Sequence, residues 1–220
     1  MRLNQYVAQA TGMSRRAADA VIAEQRVRIN GTPAQLGQSV HPDDQVTLDG
    51  KPLESPATYR TVLFHKPAGY VCSRNGQGSA TIYELLPPVL HELKPVGRLD
   101  KDSSGLLLLT NDGQLSHQLT HPRFEKTKLY QIELDKPLSP MDEERIHVDG
   151  VKLEDGFSRL TLTSEDAKRL RWRVDMHEGR NRQIRRTFAA LGYKVTKLHR
   201  TQFGEYVLSD LAPGAFSDIA

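Results

Sequence analysis

Leu106-Leu107-Leu108-Leu109 is an unbroken apolar run with Gly105 before it and the turn signal Asn111-Asp112-Gly113 after it. A run this short, bounded at both ends, reads as a buried strand, since alternating strand side chains leave it no polar face. A chain of 220 residues is long enough to supply the surrounding core, and allows one main domain with a small one beside it. Runs of this length fall far short of the ~18 residues of a membrane span, so no membrane association is expected. The start, Met1-Arg2-Leu3-Asn4-Gln5-Tyr6, lacks the apolar stretch of a secretory signal. Cys72 is the only cysteine, which excludes an internal disulfide and a multi-cysteine metal site and makes a reducing cytoplasm the expected location.

The first fifty residues read as a compact satellite of two helices and a hairpin. Leu3, Tyr6, Val7 and Ala10 recur at helical spacing until Thr11-Gly12. Ser14 is placed to cap a second helix with Ala17, Ala18, Val21 and Ile22 on its apolar face. Val27 and Ile29 alternate as a strand before the turn Asn30-Gly31, and Val46 and Leu48 alternate before Asp49-Gly50. Residues 51–60, with Pro52 and Pro56 in a polar setting, read as a linker.

Beyond the linker, short strands with a few helices are expected over residues 61–220. Val62-Leu63-Phe64 and Tyr70-Val71-Cys72 flank the turn Lys66-Pro67-Ala68-Gly69. The segments 129–134, 159–163 and 171–176 alternate, and Asn181 to Leu191 reads as a helix closed by Gly192. Strands that do not alternate regularly with helices argue for an α+β fold on a mixed, largely antiparallel sheet.

The charge is unevenly distributed. From Ala167 to Arg200, eleven Lys and Arg against Asp175 and Glu178 make +9, and the +3 of the whole chain leaves −6 for the remainder. A focused cationic surface attracts polyanions, nucleic acid first. Arg15, Arg16, Arg26 and Arg28 form a second basic group that could grip a phosphate backbone.

Several chemistries lack support. The chain has no Gly-x-x-x-x-Gly-Lys-Ser/Thr loop. His117 and His121 stand four apart, but Gln118 occupies the position where a zinc protease needs glutamate, and Pro122 suits a helix end; no metal is expected. No Gly-x-Ser-x-Gly elbow surrounds Ser103 and Ser104. Asp100 and Asp102 lie in a segment bracketed by Gly97 and Gly105, and their relative aim is open.

The run Gly97-Arg98-Leu99-Asp100-Lys101-Asp102-Ser103-Ser104-Gly105-Leu106-Leu107-Leu108-Leu109-Thr110-Asn111-Asp112-Gly113 resembles the catalytic motif of the RsuA/RluB/E/F group of pseudouridine synthases. Lys66-Pro67-Ala68-Gly69-Tyr70-Val71 and Glu178-Gly179-Arg180-Asn181-Arg182-Gln183-Ile184-Arg185-Arg186 agree in order. The first fifty residues, with Ser14-Arg15-Arg16-Ala17-Ala18-Asp19 and Val27-Arg28-Ile29-Asn30-Gly31, resemble the small RNA-binding domain first described in ribosomal protein S-four.

The resemblance implies isomerisation of a uridine in RNA without a cofactor; the expected partner is ribosomal RNA or an assembly intermediate, and the chain is expected to be a monomer. It makes Asp100 the essential carboxylate, as nucleophile toward sugar or base or as the base that begins glycal formation. Arg185 matches the basic partner of that aspartate, Tyr130 an active-site tyrosine that stacks on uracil, and Ile184 an apolar residue against the base. Arg98, Lys66, Arg180 and Arg182 are expected on the substrate side, and Lys168 and Arg169 at the RNA backbone. Ser103 stands where the family usually has threonine, and Arg182 and Thr187 where it varies. The competing expectation is a noncatalytic RNA-binding or ribosome-assembly protein that keeps the fold. A base-excising glycosylase, which also needs a carboxylate near the sugar, is a third.

Overall fold

The computed structural model describes residues 1–54 and 59–219, in two units, Met1–Tyr59 and Arg60–Ala220. In the first unit α1 (Leu3–Thr11) ends where Gly12 adopts a left-handed φ of 76°. Helix α2 (Arg15–Ala23) starts at Ser14, whose hydroxyl accepts from the Ala17 N–H at 3.1 Å. Ala18 and Ile22 are buried, Val21 is half-buried, and Ala17 is exposed rather than part of the apolar face.

Four strands follow instead of the expected two: β1 (Val27–Ile29), β2 (Thr32–Pro33), β3 (Val46–Leu48) and β4 (Lys51–Pro52), in the order β2-β1-β3-β4. Both hairpin turns, Asn30-Gly31 and Asp49-Gly50, place two consecutive residues at positive φ, the arrangement whose twist matches that of paired strands. β2 and β4 are each two residues long and end in proline, which left no alternation to read. Lys51 and Pro52 therefore pair with β3 rather than belonging to the linker. Residues 55–58 of that linker lie outside the described residues.

The second unit contains β5 (Thr61–Lys66), β6 (Lys94–Pro95), β7 (Ser104–Thr110), α3 (Gly113–Thr120), β8 (Lys128–Leu134), α4 (Pro140–Glu144), β9 (Val151–Leu153), β10 (Gly156–Ser158), β11 (Thr161–Ser164), β12 (Arg171–Met176), α5 (Gln183–Ala190), β13 (Val195–Phe203), β14 (Tyr206–Val207) and β15 (Phe216–Asp218). The main sheet runs β11-β12-β8-β13-β7-β5-β15, with β14 added to β13 and β6 to β7. Among the described strands of this sheet every pairing is antiparallel except β13 with β7. The fold is thus α+β on a mixed, largely antiparallel sheet.

The leucine run is the middle of β7, and all four side chains are fully buried. Leu107 and Leu109 enter the larger core with Phe64, Trp172 and Phe188, while Leu106 and Leu108 enter a second core with Val96, Leu119 and Phe203. Burying four leucines contributes on the order of 6–12 kcal/mol at about 1.5–3 kcal/mol each, before chain entropy is counted. This anchors β7 at the sheet centre and fixes the loop that precedes it.

Three expected boundaries move. Tyr70-Val71-Cys72 is not a strand; only Val71 makes a bridge, to Thr81, because the Gly69 N–H donates to the Lys101 carbonyl and the chain turns toward residues 97–103. The strand expected from Arg159 begins at Thr161, and the helix expected from Asn181 begins at Gln183, since Arg182 takes a left-handed φ of 47°.

Candidate active site

The loop between β6 and β7 carries Asp100, and three groups fix its backbone. Lys66, at the end of β5, is fully buried and directs its ammonium at the carbonyls of Ser103 (2.7 Å), Pro67 (2.9 Å), Asp100 (3.2 Å) and Lys101 (3.5 Å). Burial pushes the Lys66 pKa down, against the opposing pull of Cys72, Asp100 and Asp102. The buried Cys72 thiol donates to the Leu99 carbonyl at 3.3 Å, and its sulfur accepts from the Leu99 N–H at 3.4 Å. Burial raises the Cys72 pKa, so the sulfur stays a neutral thiol suited to packing. The Ser103 N–H returns to the Asp100 carbonyl at 3.0 Å, closing the turn.

Gly105 is required at the start of β7. Its φ is +109°, and a Cβ there would lie 2.2 Å from the Arg200 carbonyl oxygen. Only a glycine lets β13 approach this closely.

A cavity of about 500 Å3 opens over this loop, within the size range of small-ligand sites. Asp100, Arg98, Tyr130, Arg180, Arg182 and Ile184 line it, together with Ser103, Lys128, Met176, Gln183, Leu198, Arg200 and Phe203. Tyr130 sits on β8 with 8% of its surface exposed, and Ile184 is buried in the first turn of α5. Asp100 is partly exposed, and its Oδ2 lies 3.5 Å from Arg182 Nη1. The arrangement is a concave, mainly cationic site with an ionisable carboxylate, an aromatic ring and an aliphatic side chain around one space.

The family model described as RNA pseudouridylate synthase matches residues 60–190, and the S4 domain model matches residues 1–46. The chain belongs to the RNA pseudouridylate synthase family. It is 38% identical over 220 residues to the ribosomal small subunit pseudouridine synthase A of Yersinia pestis, covering 98% of this chain and 93% of that protein. It is 34% identical over 226 residues to an uncharacterized RNA pseudouridine synthase of Aquifex aeolicus, covering all of this chain and 90% of the relative. A crystal structure of a pseudouridylate synthase superposes with a TM-score of 0.71 at 30% identity, covering 100% of this chain and 96% of the other. A pseudouridine synthase is an RNA isomerase, so the chain is an enzyme with an RNA-binding domain at its N-terminal end.

The geometry changes several expectations within that family. The expected Arg185–Asp100 pair is not formed. Arg185 donates to the carbonyls of Val195 (2.7 Å) and Asp102 (3.1 Å), and does not line the cavity. Burial and the neighbouring Arg182 push its pKa down, against Asp100 and Asp102. Arg182 takes the pairing position because its left-handed backbone stands just ahead of α5, whereas Arg185 lies one turn in and faces back to β13. Lys66 is likewise absent from the cavity lining and touches backbone instead.

Several basic residues expected at RNA are bound to acids. Arg26 forms ion pairs with Asp49 at 2.7 Å and Glu24 at 3.1 Å. Arg169 reaches Glu143 at 2.6 Å and lies over the Trp172 ring at 5.0 Å. Arg180 bonds Asp155 and Glu178 at the cavity wall. Arg15 donates to Asn4, Arg28 to the Gly31 carbonyl, and Arg16 and Lys168 are exposed. The +9 segment thus folds against carboxylates from the acidic remainder, with Arg171 on Asp166 and Arg186 on Asp155 as further pairs.

Three cavity cations, Lys126, Lys128 and Arg200, escaped the sequence reading. Lys128 stands two residues before Tyr130, the strand spacing that puts both on one face. Arg200 is the direct cross-strand partner of Tyr130. The parity of β8 offered a signal for Lys128; only strand pairing reveals Arg200.

Proposed function

We propose that this chain converts a specific uridine of ribosomal RNA to pseudouridine, with Asp100 as the reacting carboxylate. The carrying observation is Asp100 at the wall of a cavity shared with Tyr130 and Ile184, on a loop that Lys66 and Cys72 hold by its backbone. A base inside a stacked helix exposes neither its C5 nor the glycosidic bond to such a cavity, so the uridine is flipped into it. Tyr130 and Ile184 offer surfaces to the two faces of the ring. Arg98 and Arg182, both exposed at the rim, suit the flanking phosphates.

The reaction breaks C1′–N1 and forms C1′–C5. C5 loses a proton and N1 gains one, so atoms and electrons balance without a co-reactant. Asp100 acts as nucleophile or as base, with the Arg182 guanidinium 3.5 Å from its carboxylate. The first unit grips RNA through the exposed Arg15, Arg16 and Arg28, and residues 61–220 carry the chemistry. One copy of the chain supplies every residue named, and with ribosomal RNA as substrate its compartment is the cytoplasm. The names of several relatives direct the search to small-subunit RNA.

Mapping pseudouridines in ribosomal RNA from cells with and without the gene tests this. One site that disappears on deletion and returns on complementation supports it; an unchanged map contradicts it.

A further inference from the structure

The floor of the cavity holds positive charge that no carboxylate among the described residues neutralises. Arg200 is only 2% exposed, yet among the described residues no carboxylate lies within 4.0 Å of it. Its Nε donates to the Leu106 carbonyl at 2.8 Å, while its Nη2 is buried without a hydrogen-bond partner. The Ser103 hydroxyl, 1% exposed, is also without a partner and also lines the cavity. Lys128 is a second cation there, bonded to the Lys126 carbonyl at 3.1 Å and equally free of acids among the described residues. The Phe203 ring lies against both, 4.8 Å from the Arg200 guanidinium carbon and 5.3 Å from Lys128 Nζ. Burial, and then repulsion from Arg200, push the Lys128 pKa down.

A buried guanidinium with an unmade hydrogen bond is costly, and natural structures keep such a group when a ligand completes it. Its position says which part of the substrate does so. Arg200 and Tyr130 are directly opposed on β13 and β8. Directly opposed residues have Cβ atoms about 4.5–5.5 Å apart, so whatever stacks on Tyr130 is within reach of Arg200. Phosphates stay with the RNA backbone at the rim, where Arg98 and Arg182 are exposed. Only the inserted base reaches the floor.

We propose that Arg200, assisted by Lys128 and the Ser103 hydroxyl, holds the anionic oxygen of the uracil ring while it is detached from the ribose. The inference rests on the pseudouridine synthase reading. When C1′–N1 breaks, its electron pair stays on the ring, and the negative charge is shared by N1 and the two carbonyl oxygens. The charge is discharged when C5 bonds to C1′, C5 releases its proton and N1 takes one up. Between those events the ring must turn without escaping. A fixed, water-poor cation at its carbonyl edge stabilises the anion and holds it in place, as donors in an oxyanion hole do.

The test compares single-turnover rates at saturating RNA for wild type and Arg200→Met, on substrates carrying uridine or 5-fluorouridine at the target. Disappearance of the N-linked nucleoside is the readout. Removing one such donor is expected to slow uridine about 10²–10³-fold, with RNA affinity unchanged. Fluorine stabilises the ring anion by itself, so the wild-type to variant ratio should shrink by about tenfold with 5-fluorouridine, from the loss of part of that same stabilisation. Equal ratios on both substrates overturn the proposal. So does an unchanged rate with weaker RNA binding and a shallower salt dependence, which marks a phosphate contact. If Arg200→Met fails to fold, Lys128→Met and Arg200→Lys decide by the same ratio. Wild type that leaves uridine unconverted refutes the parent reading before any variant is compared.

Discussion

Replacing Lys66 by methionine keeps the length of the side chain and removes the ammonium that holds the Asp100 loop. An ammonium has three N–H groups, and Lys66 applies them to four carbonyls between 2.7 and 3.5 Å. A hydrogen bond to a charged group contributes about 1.5–3 kcal/mol net, and each buried carbonyl left unpaired costs about 1–3 kcal/mol. Part of this is offset because the charged amine no longer has to be desolvated. A net loss of about 3–5 kcal/mol follows, large against the 5–15 kcal/mol that stabilises a typical domain. Urea unfolding followed by the fluorescence of Trp172, the chain's one tryptophan and fully buried in this unit, measures it. The loop should also drift, and a displacement of about 1 Å at a reacting group costs about 10²-fold in rate. Lys66→Met with less than about 1 kcal/mol of destabilisation and an unchanged single-turnover rate would refute the backbone-clamp argument.

Gly105→Ala should destabilise by about 2–6 kcal/mol, the sum of backbone strain at positive φ and overpacking against Arg200, read as a lowered urea midpoint. A wild-type midpoint would show that β7 and β13 can part. His199, in contact with His65 and hydrogen-bonded to Ser104, is held below its ordinary pKa by burial, then by His65 and Lys197. Below about pH 6.5 the unfolded chain binds a proton the folded chain resists, so stability falls as pH drops through that value, and His199→Gln should flatten the slope. Arg16→Ala should weaken RNA binding and reduce its salt slope more than Arg26→Ala does, because Arg26 is already engaged by Asp49 and Glu24; equal effects in a filter-binding titration contradict this.

What could be read from the sequence was what depends on neighbours along the chain. Four consecutive leucines between turn signals announced β7, and Ser14 announced the start of α2. The ordered motifs announced the family and the loop that carries Asp100. What could not be read was direction across space. Arg182 and Arg185 are both basic residues of one motif, and only the left-handed backbone at Arg182 decides which of them faces Asp100. Lys66 resembled a substrate contact because its motif sits beside the site; its ammonium turns inward to carbonyls 34 to 37 residues away. Arg200 meets Leu106 across 94 residues, a distance at which no local pattern carries information. The charge split was visible, but its partial neutralisation by Glu143, Asp155 and Asp166 required the fold.

Tritium release from RNA labelled at uracil C5 tests the central claim most directly, because the isomerisation must expel that proton. Wild type should release one tritium per target uridine, and Asp100→Asn should bind the same RNA with similar affinity and release none. Release at the wild-type rate by Asp100→Asn would contradict the role assigned to Asp100 and with it the reading of the site.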